Sequence, residues 1–194
     1  MNVALRPAMT RDEFLDWDGH LHGRWEFDGV RPVPMTGGLL NHNTITINII
    51  VALRNRLRST PWQVFGADAG IATAGSAVRY PDALVASSAQ VGTSKLVADP
   101  VVVLEVLSPS SGRTDRIEKV KEYRAVPSIR RYLIVENTSV GAAMHHRQTA
   151  DAEWTVTPLV AGETLMLPEI GIEVPLAEFY EDTGLPETEP DEGR

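Results

Sequence analysis

The chain has 194 residues, 43% of them apolar and 23% charged, with no cysteine and a formal net charge of −8. That length fits one domain with a full hydrophobic core rather than two large ones. Without cysteine there are no disulfides, thiolate nucleophiles, zinc ribbons or iron–sulfur clusters, so any site must use oxygen and imidazole chemistry. No apolar run approaches the length of a membrane span, and the N-terminal MNVALRPAMTRDEF lacks the features of a secretory signal, so the expected location is cytoplasmic with no membrane partner.

Residues 181–194 carry −5 of the net charge and leave −3 on residues 1–180. The expected organisation is therefore one domain over residues 1–182 and an acidic tail over 183–194 whose composition is that of disordered segments. Within the body, residues 113–131 hold seven bases against three acids, and Arg54, Arg56 and Arg58 form a second basic run. Such runs can neutralise phosphates, but a solvated helix face explains the spacing equally simply and is the preferred reading.

Thr10 followed by Glu13 has capping-box spacing and predicts a short helix over residues 9–18. Residues 24–35, RWEFDGVRPVPM, alternate around the turn signal Asp28-Gly29 and predict a hairpin that stops at Gly37-Gly38. From Asn41 to Arg58 the residues Ile45, Ile49, Ile50, Leu53 and Leu57 recur at helical spacing. Strand-like runs follow at 63–72, 78–86 and 101–107, then a second helix over 115–125 and a strand over 131–136. Runs near 142–147, 154–160 and 164–167 predict a β-meander closing on a short helix at 176–180. This interleaving predicts an α/β fold, a mixed sheet flanked by helices.

Glu105 stands inside Val101-Val102-Val103-Leu104-Glu105-Val106-Leu107, where a carboxylate requires a partner. It is either one half of a buried ion pair or an active-site acid. Asp82 interrupts the apolar run Tyr80-Pro81-Asp82-Ala83-Leu84-Val85 in the same way; alone it reads as a strand-end aspartate. If the two strands are neighbours, Asp82 and Glu105 converge on a hard divalent cation, for which Mg²⁺ or Mn²⁺ is suited. On the helix that follows, Asp115, Lys119 and Tyr123 share a face. Lys119 is either a surface partner of Asp115 or a group that leans over the strand ends to orient a water or stabilise charge on a phosphate.

Arg79-Tyr80-Pro81-Asp82, Glu105-Val106-Leu107-Ser108-Pro109-Ser110-Ser111, Asp115-Arg116 with Lys119 and Tyr123, and Pro127-Ser128-Ile129 before Arg131-Tyr132 occur in one order. In this the chain resembles the Uma-two family of endonucleases, a branch of the PD-(D/E)xK, restriction-endonuclease-like superfamily, over residues 10–182. Glu26, Gly37-Gly38 with His42, and residues 171–176 fit the same pattern. The resemblance implies a metal-dependent phosphodiester hydrolase in which Asp82 and Glu105 hold the ion and the Val106 carbonyl adds a ligand. One position departs from the superfamily name: the lysine two residues after the second acid is replaced by Leu107. The resemblance then places the lysine on the next helix, at Lys119, with Lys121 as the weaker candidate.

Glu26 is either an extra acid beside the metal or a cross-strand partner of Arg24 or Arg31. His42 either contacts a phosphate or, as preferred, hydrogen-bonds the Gly37-Gly38 loop. His145 and His146 are expected to be exposed, and Asp68 reads as a loop cap. The expected function is a Mg²⁺- or Mn²⁺-dependent nuclease on nucleic acid, DNA by family likeness, with Asp82, Glu105, Lys119 and Glu26 as catalytic residues and His42, Lys121 and Tyr123 in support. A homodimer is expected, because cutting both strands of a duplex benefits from two sites. A catalytically idle nuclease fold that binds nucleic acid or protein is the alternative, and a phosphoesterase acting on small nucleotides is a third reading.

Overall fold

A computed structural model describes residues 9–17, 19, 22–35, 37–73, 75–90, 92–108 and 113–187, with residues 113–116 described by their backbone alone. The first helix, α1 (Arg11–Leu15), starts at the expected capping box, in which Thr10 and Glu13 satisfy each other's backbone N–H groups. The hairpin β1 (Trp25–Phe27) and β2 (Pro32–Pro34) follows, its turn held by Asp28 Oδ1, which accepts from Val30 N and Arg31 N at 2.8 Å each. The long helix α2 (Leu40–Leu57) buries Ile45, Ile49, Ala52, Leu53 and Leu57, the stripe expected from their spacing. After it come β3 (Trp62–Gly66), β4 (Ile71–Ala72), β5 (Val78–Arg79), β6 (Ala83–Ser87), β7 (Val102–Val106), α3 (Arg113–Arg124) and β8 (Arg131–Val135). The chain continues through β9 (Gly141–His146), β10 (Thr155–Val160), β11 (Thr164–Leu167), β12 (Ile172–Pro175) and a 3-10 turn, Leu176–Tyr180.

Six strands form the central sheet in the order β10-β9-β8-β7-β6-β3, and β1, β2, β4 and β5 form a smaller one in the order β2-β1-β5-β4. In the central sheet β7 and β8 run parallel and the other neighbours antiparallel. A parallel pair cannot be joined by a tight turn, and α3 is the crossover that this pair needs. Period-two alternation divides the strands between two cores. Ala83, Val85, Val102, Leu104 and Val106 pack with the α2 side chains on one face, while Leu84, Ala86 and Val103 pack with Tyr123, Ile129 and Tyr132 on the other. Glu105 therefore points to the α3 face.

Two expectations need correction. The runs at 63–72 and 78–86 are not single strands: β3 and β6 belong to the central sheet, β4 and β5 to the smaller one. The first run breaks at residues 67–69, where the chain turns and Ala69 N donates to Gly66 O at 3.0 Å. The second breaks at Pro81, which has no N–H to give to a ladder, and the chain passes there from one sheet to the other. The late meander is also interrupted: β11 pairs with β12, a strand absent from the expected elements, in a separate two-stranded sheet. Beyond residue 182 the described residues run to Glu187. Val140 N donates to Pro186 O at 2.9 Å and Glu187 bridges to Val140, whereas residues 188–194 of the expected tail lie outside the described residues. Among the described residues no helix is long and apolar enough to cross a membrane.

Candidate active site

Strand register builds the site. Ala83 pairs with Leu104 in the antiparallel β6–β7 ladder, and the same register one residue further sets Asp82 beside Glu105. Asp82 lies just outside β6, and its Oδ2 accepts from Val106 N at 2.8 Å, which holds the carboxylate against the end of β7. In the smaller sheet Phe27 pairs with Val78, so Glu26 sits beside Arg79. The Tyr80-Pro81-Asp82 link between β5 and β6 brings these two carboxylate positions together. From α3, Lys119 and Tyr123, one helical turn apart, face the same place.

Lys119 Nζ lies 3.2 Å from Glu26 Oε1 and 3.4 Å from Glu105 Oε1. The Tyr123 hydroxyl donates to Glu105 Oε1 at 2.9 Å. His42 Nε2 is 3.3 Å from Asp82 Oδ2. Arg79 Nη1 donates to Glu26 Oε2 at 3.1 Å, and its Nε and Nη2 grip Glu122 at 2.7 and 2.8 Å. The side chains of Glu26 and Arg79 are 7% and 6% exposed and that of Glu105 14%, so these groups meet out of reach of most solvent screening.

Burial raises the Glu105 carboxyl to a pKa of about 7; Lys119 opposes that shift, and the negative charges of Glu26 and Asp82 add to it. The Tyr123 phenol is held well above its ordinary value, first by burial and then by the adjacent Glu105. His42 is raised by its hydrogen bond to Asp82, with burial working against the shift and Glu105 and the Val106 backbone supporting it. A carboxyl poised near neutrality beside a second acid and an ammonium is the environment expected of a reactive centre.

Asp82, Glu105, Lys119, Glu26, His42, Tyr123 and Val106 are thus in one place. Lys119 contacts Glu105 from α3 and brings the ammonium that Leu107 lacks. Lys121 is elsewhere, 67% exposed and paired with Glu118 at 3.2 Å. Glu26 does form a cross-strand pair, but with Arg79; Arg24 instead reaches Asp68, at 3.8 Å, and Arg31 reaches Asp28. His42 does not hydrogen-bond the glycine loop but packs against it: a Cβ on Gly38 would meet the imidazole at 2.8 Å, so the ring's approach to Asp82 depends on that glycine. Asp115 lies on α3, its side chain outside the described residues. His145 and His146 are half-buried rather than exposed, one stacked on Tyr132 and the other 3.0 Å from Thr157 Oγ1.

The sequence reading missed Arg79 as a site residue, and Glu122 with it. The available signal was an arginine in a strand otherwise bound for the core, immediately before Tyr80-Pro81-Asp82. The basic stretch 113–131 is partly spent on internal contacts: Arg131 pairs with Glu169 at 3.0 Å, Arg124 lies over the Trp154 ring, and Arg130 donates to backbone carbonyls.

Among the described residues no three His, Asp or Glu side chains group closely enough to enclose a metal ion. The Asp82–Glu105 pair still fits a cation such as Mg²⁺, which is bound through one or two carboxylates while keeping several waters. The bonds given above engage Asp82 through Oδ2 and Glu105 through Oε1, so each carboxylate has a second oxygen that they do not use.

A mixed sheet whose adjacent central strands present an Asp–Glu pair, with a lysine leaning in from the crossover helix, defines a restriction-endonuclease-like α/β protein. The model of the Uma2 family, described as "Putative restriction endonuclease", matches residues 11–177, and the chain belongs to that family. Two Synechocystis proteins, the uncharacterized proteins slr1290 and sll1609, are each 27% identical to it, over 90% and 82% of this chain and 92% of each relative. Among solved structures, a crystal structure titled as a "putative nuclease belonging to DUF820" from Anabaena variabilis superposes with a TM-score of 0.70 over 89% of this chain and 97% of that one, at 12% identity. That likeness establishes the fold.

Proposed function

We propose that this protein is a divalent-metal-dependent nuclease that hydrolyses phosphodiester bonds in DNA. The observation that carries the reading is the register-set neighbourhood of Asp82 and Glu105 with Lys119 Nζ 3.4 Å from Glu105 Oε1. The family description, "Putative restriction endonuclease", supports DNA as the substrate. Asp82, Glu105 and the Val106 carbonyl would hold Mg²⁺ or Mn²⁺, which when bound supplies Lewis acidity at the phosphate and lowers the pKa of water.

The chain's own side chains do the rest. Val106 N–H and His42 fix the Asp82 carboxylate, and the Tyr123 hydroxyl fixes that of Glu105. Lys119 brings a positive charge to the end of β7, where it pairs with a phosphate oxygen and orients the attacking water. Glu26 keeps that ammonium close to Glu105.

Cleavage of supercoiled plasmid and of single-stranded DNA, with Mg²⁺, with Mn²⁺ and with EDTA, tests the reading. Cleavage should require the ion, fall at least about 100-fold in Asp82→Ala and Glu105→Ala, and fall about 10- to 100-fold in Lys119→Ala. A wild type that neither cuts with any ion nor shows a saturable divalent-ion rise in Tm would leave the idle binding module in its place.

A further inference from the structure

Arg79 has no part in the chemistry just described, yet it is among the most buried charged side chains of the molecule. Its guanidinium uses three N–H groups on two carboxylates from different elements. The Nε and Nη2 edge takes Glu122 of α3 at 2.7 and 2.8 Å, and Nη1 takes Glu26 of β1 at 3.1 Å. Thr73 Oγ1 also donates to Glu122 Oε2 at 3.2 Å, the oxygen that Arg79 Nε takes, and so helps to hold that carboxylate against the fork.

Neutralising a single buried acid would need only one of these arms. The second arm decides which oxygen of Glu26 Lys119 receives. With Oε2 held by Arg79, and Oε1 held by the Tyr80 N–H at 3.3 Å, Glu26 cannot rotate, and its Oε1 meets Lys119 Nζ at 3.2 Å. Lys119 and Glu122 are three residues apart on α3 and lie on the same face, so the fork also sets how closely that part of the helix approaches the sheets.

We propose that Arg79, locked by Glu122, is a positioning residue: through Glu26 and α3 it sets where the Lys119 ammonium stands over Glu105. The proposal rests on the nuclease reading of Lys119. It requires the planar, three-armed geometry of arginine, which a lysine cannot reproduce.

The test compares steady-state cleavage and Tm for wild type, Arg79→Lys, Arg79→Met and the double variant Arg79→Met/Glu122→Met. Arg79→Met leaves Glu122 buried without its cation and Glu26 with Lys119 alone, and should lower Tm. The double variant replaces the buried pair by apolar groups of similar volume and should recover most of that loss. With positioning lost, kcat of the double variant stays at least about tenfold below wild type while KM for DNA changes by less than about threefold. Arg79→Lys should share the kcat defect. Recovery of kcat together with Tm would show that Arg79 serves stability alone and would overturn the proposal. Should Arg79→Met not fold, the double variant and Arg79→Lys still decide the matter. An inactive wild type removes the nuclease reading and this inference with it, whereas an active wild type with a fully active double variant removes the inference alone.

Discussion

At Glu105, burial outweighs the neighbouring ammonium and holds the carboxyl at a pKa of about 7. Between the ordinary carboxylate range and pH 7 the unfolded chain has released this proton and the folded chain retains it. The contribution is therefore present at low pH, declines from the ordinary carboxylate range until pH has risen through 7, and is constant above, with an amplitude on the order of 3 kcal/mol. Glu105→Gln removes the titration. Relative to wild type, the variant should gain stability between pH 5 and pH 8 by roughly that amount, as read by urea unfolding at the two pH values. An unchanged difference at both pH values would show that Glu105 ionises normally. The same variant should be catalytically silent, a case in which the site is held at a cost to stability.

Among elements, α2 and α3 act through single faces. α2 is anchored by Ile45, Ile49, Leu53 and Leu57, and its N-terminal turn carries His42 to Asp82 through the space left by Gly38. A methyl group at position 38 must push the imidazole away. Gly38→Ala should lower cleavage by a similar factor to His42→Ala, several-fold, and the double variant should be no worse than either alone, because one displaced ring accounts for both. Multiplied defects would place the effect of Gly38 elsewhere. α3 presents Lys119, Glu122 and Tyr123 to the sheets. Its helical spacing is visible in the sequence, but the identity of the partners is not.

Across the whole molecule, charge is distributed in a way that composition hides. Arg56 pairs with Glu178, Arg79 with Glu26 and Glu122, Arg131 with Glu169, and Arg147 donates to four backbone carbonyls. These arginines hold elements together and are not available to phosphates. Metal-free binding to duplex DNA, followed by fluorescence anisotropy against salt, should show a log–log slope no steeper than about −4, the neutralisation of some four phosphates. A slope near −8 would mean that the basic surface is far larger than these pairings allow.

Local signals and periodicity were legible from the residues: the capping box at Thr10, the buried stripe of α2, the hairpin turn at Asp28, and the two lone acids in apolar runs at 82 and 105. Each depends on neighbours within a few positions of the chain, which is the range over which capping, turn chemistry and side-chain alternation act. Tertiary structure decided the rest. The two runs beginning at 63 and 78 divided between two sheets, because the turn after Gly66 and the proline at 81 interrupt ladders whose partners lie far along the chain. Glu26 took Arg79 instead of Arg24 or Arg31, and Lys119 rather than Lys121 reached Glu105. A buried ion pair is selected by which elements pack together, and residues 53 or 43 positions apart, like Glu26, Arg79 and Glu122, become neighbours only through the register of β1 with β5 and the seating of α3.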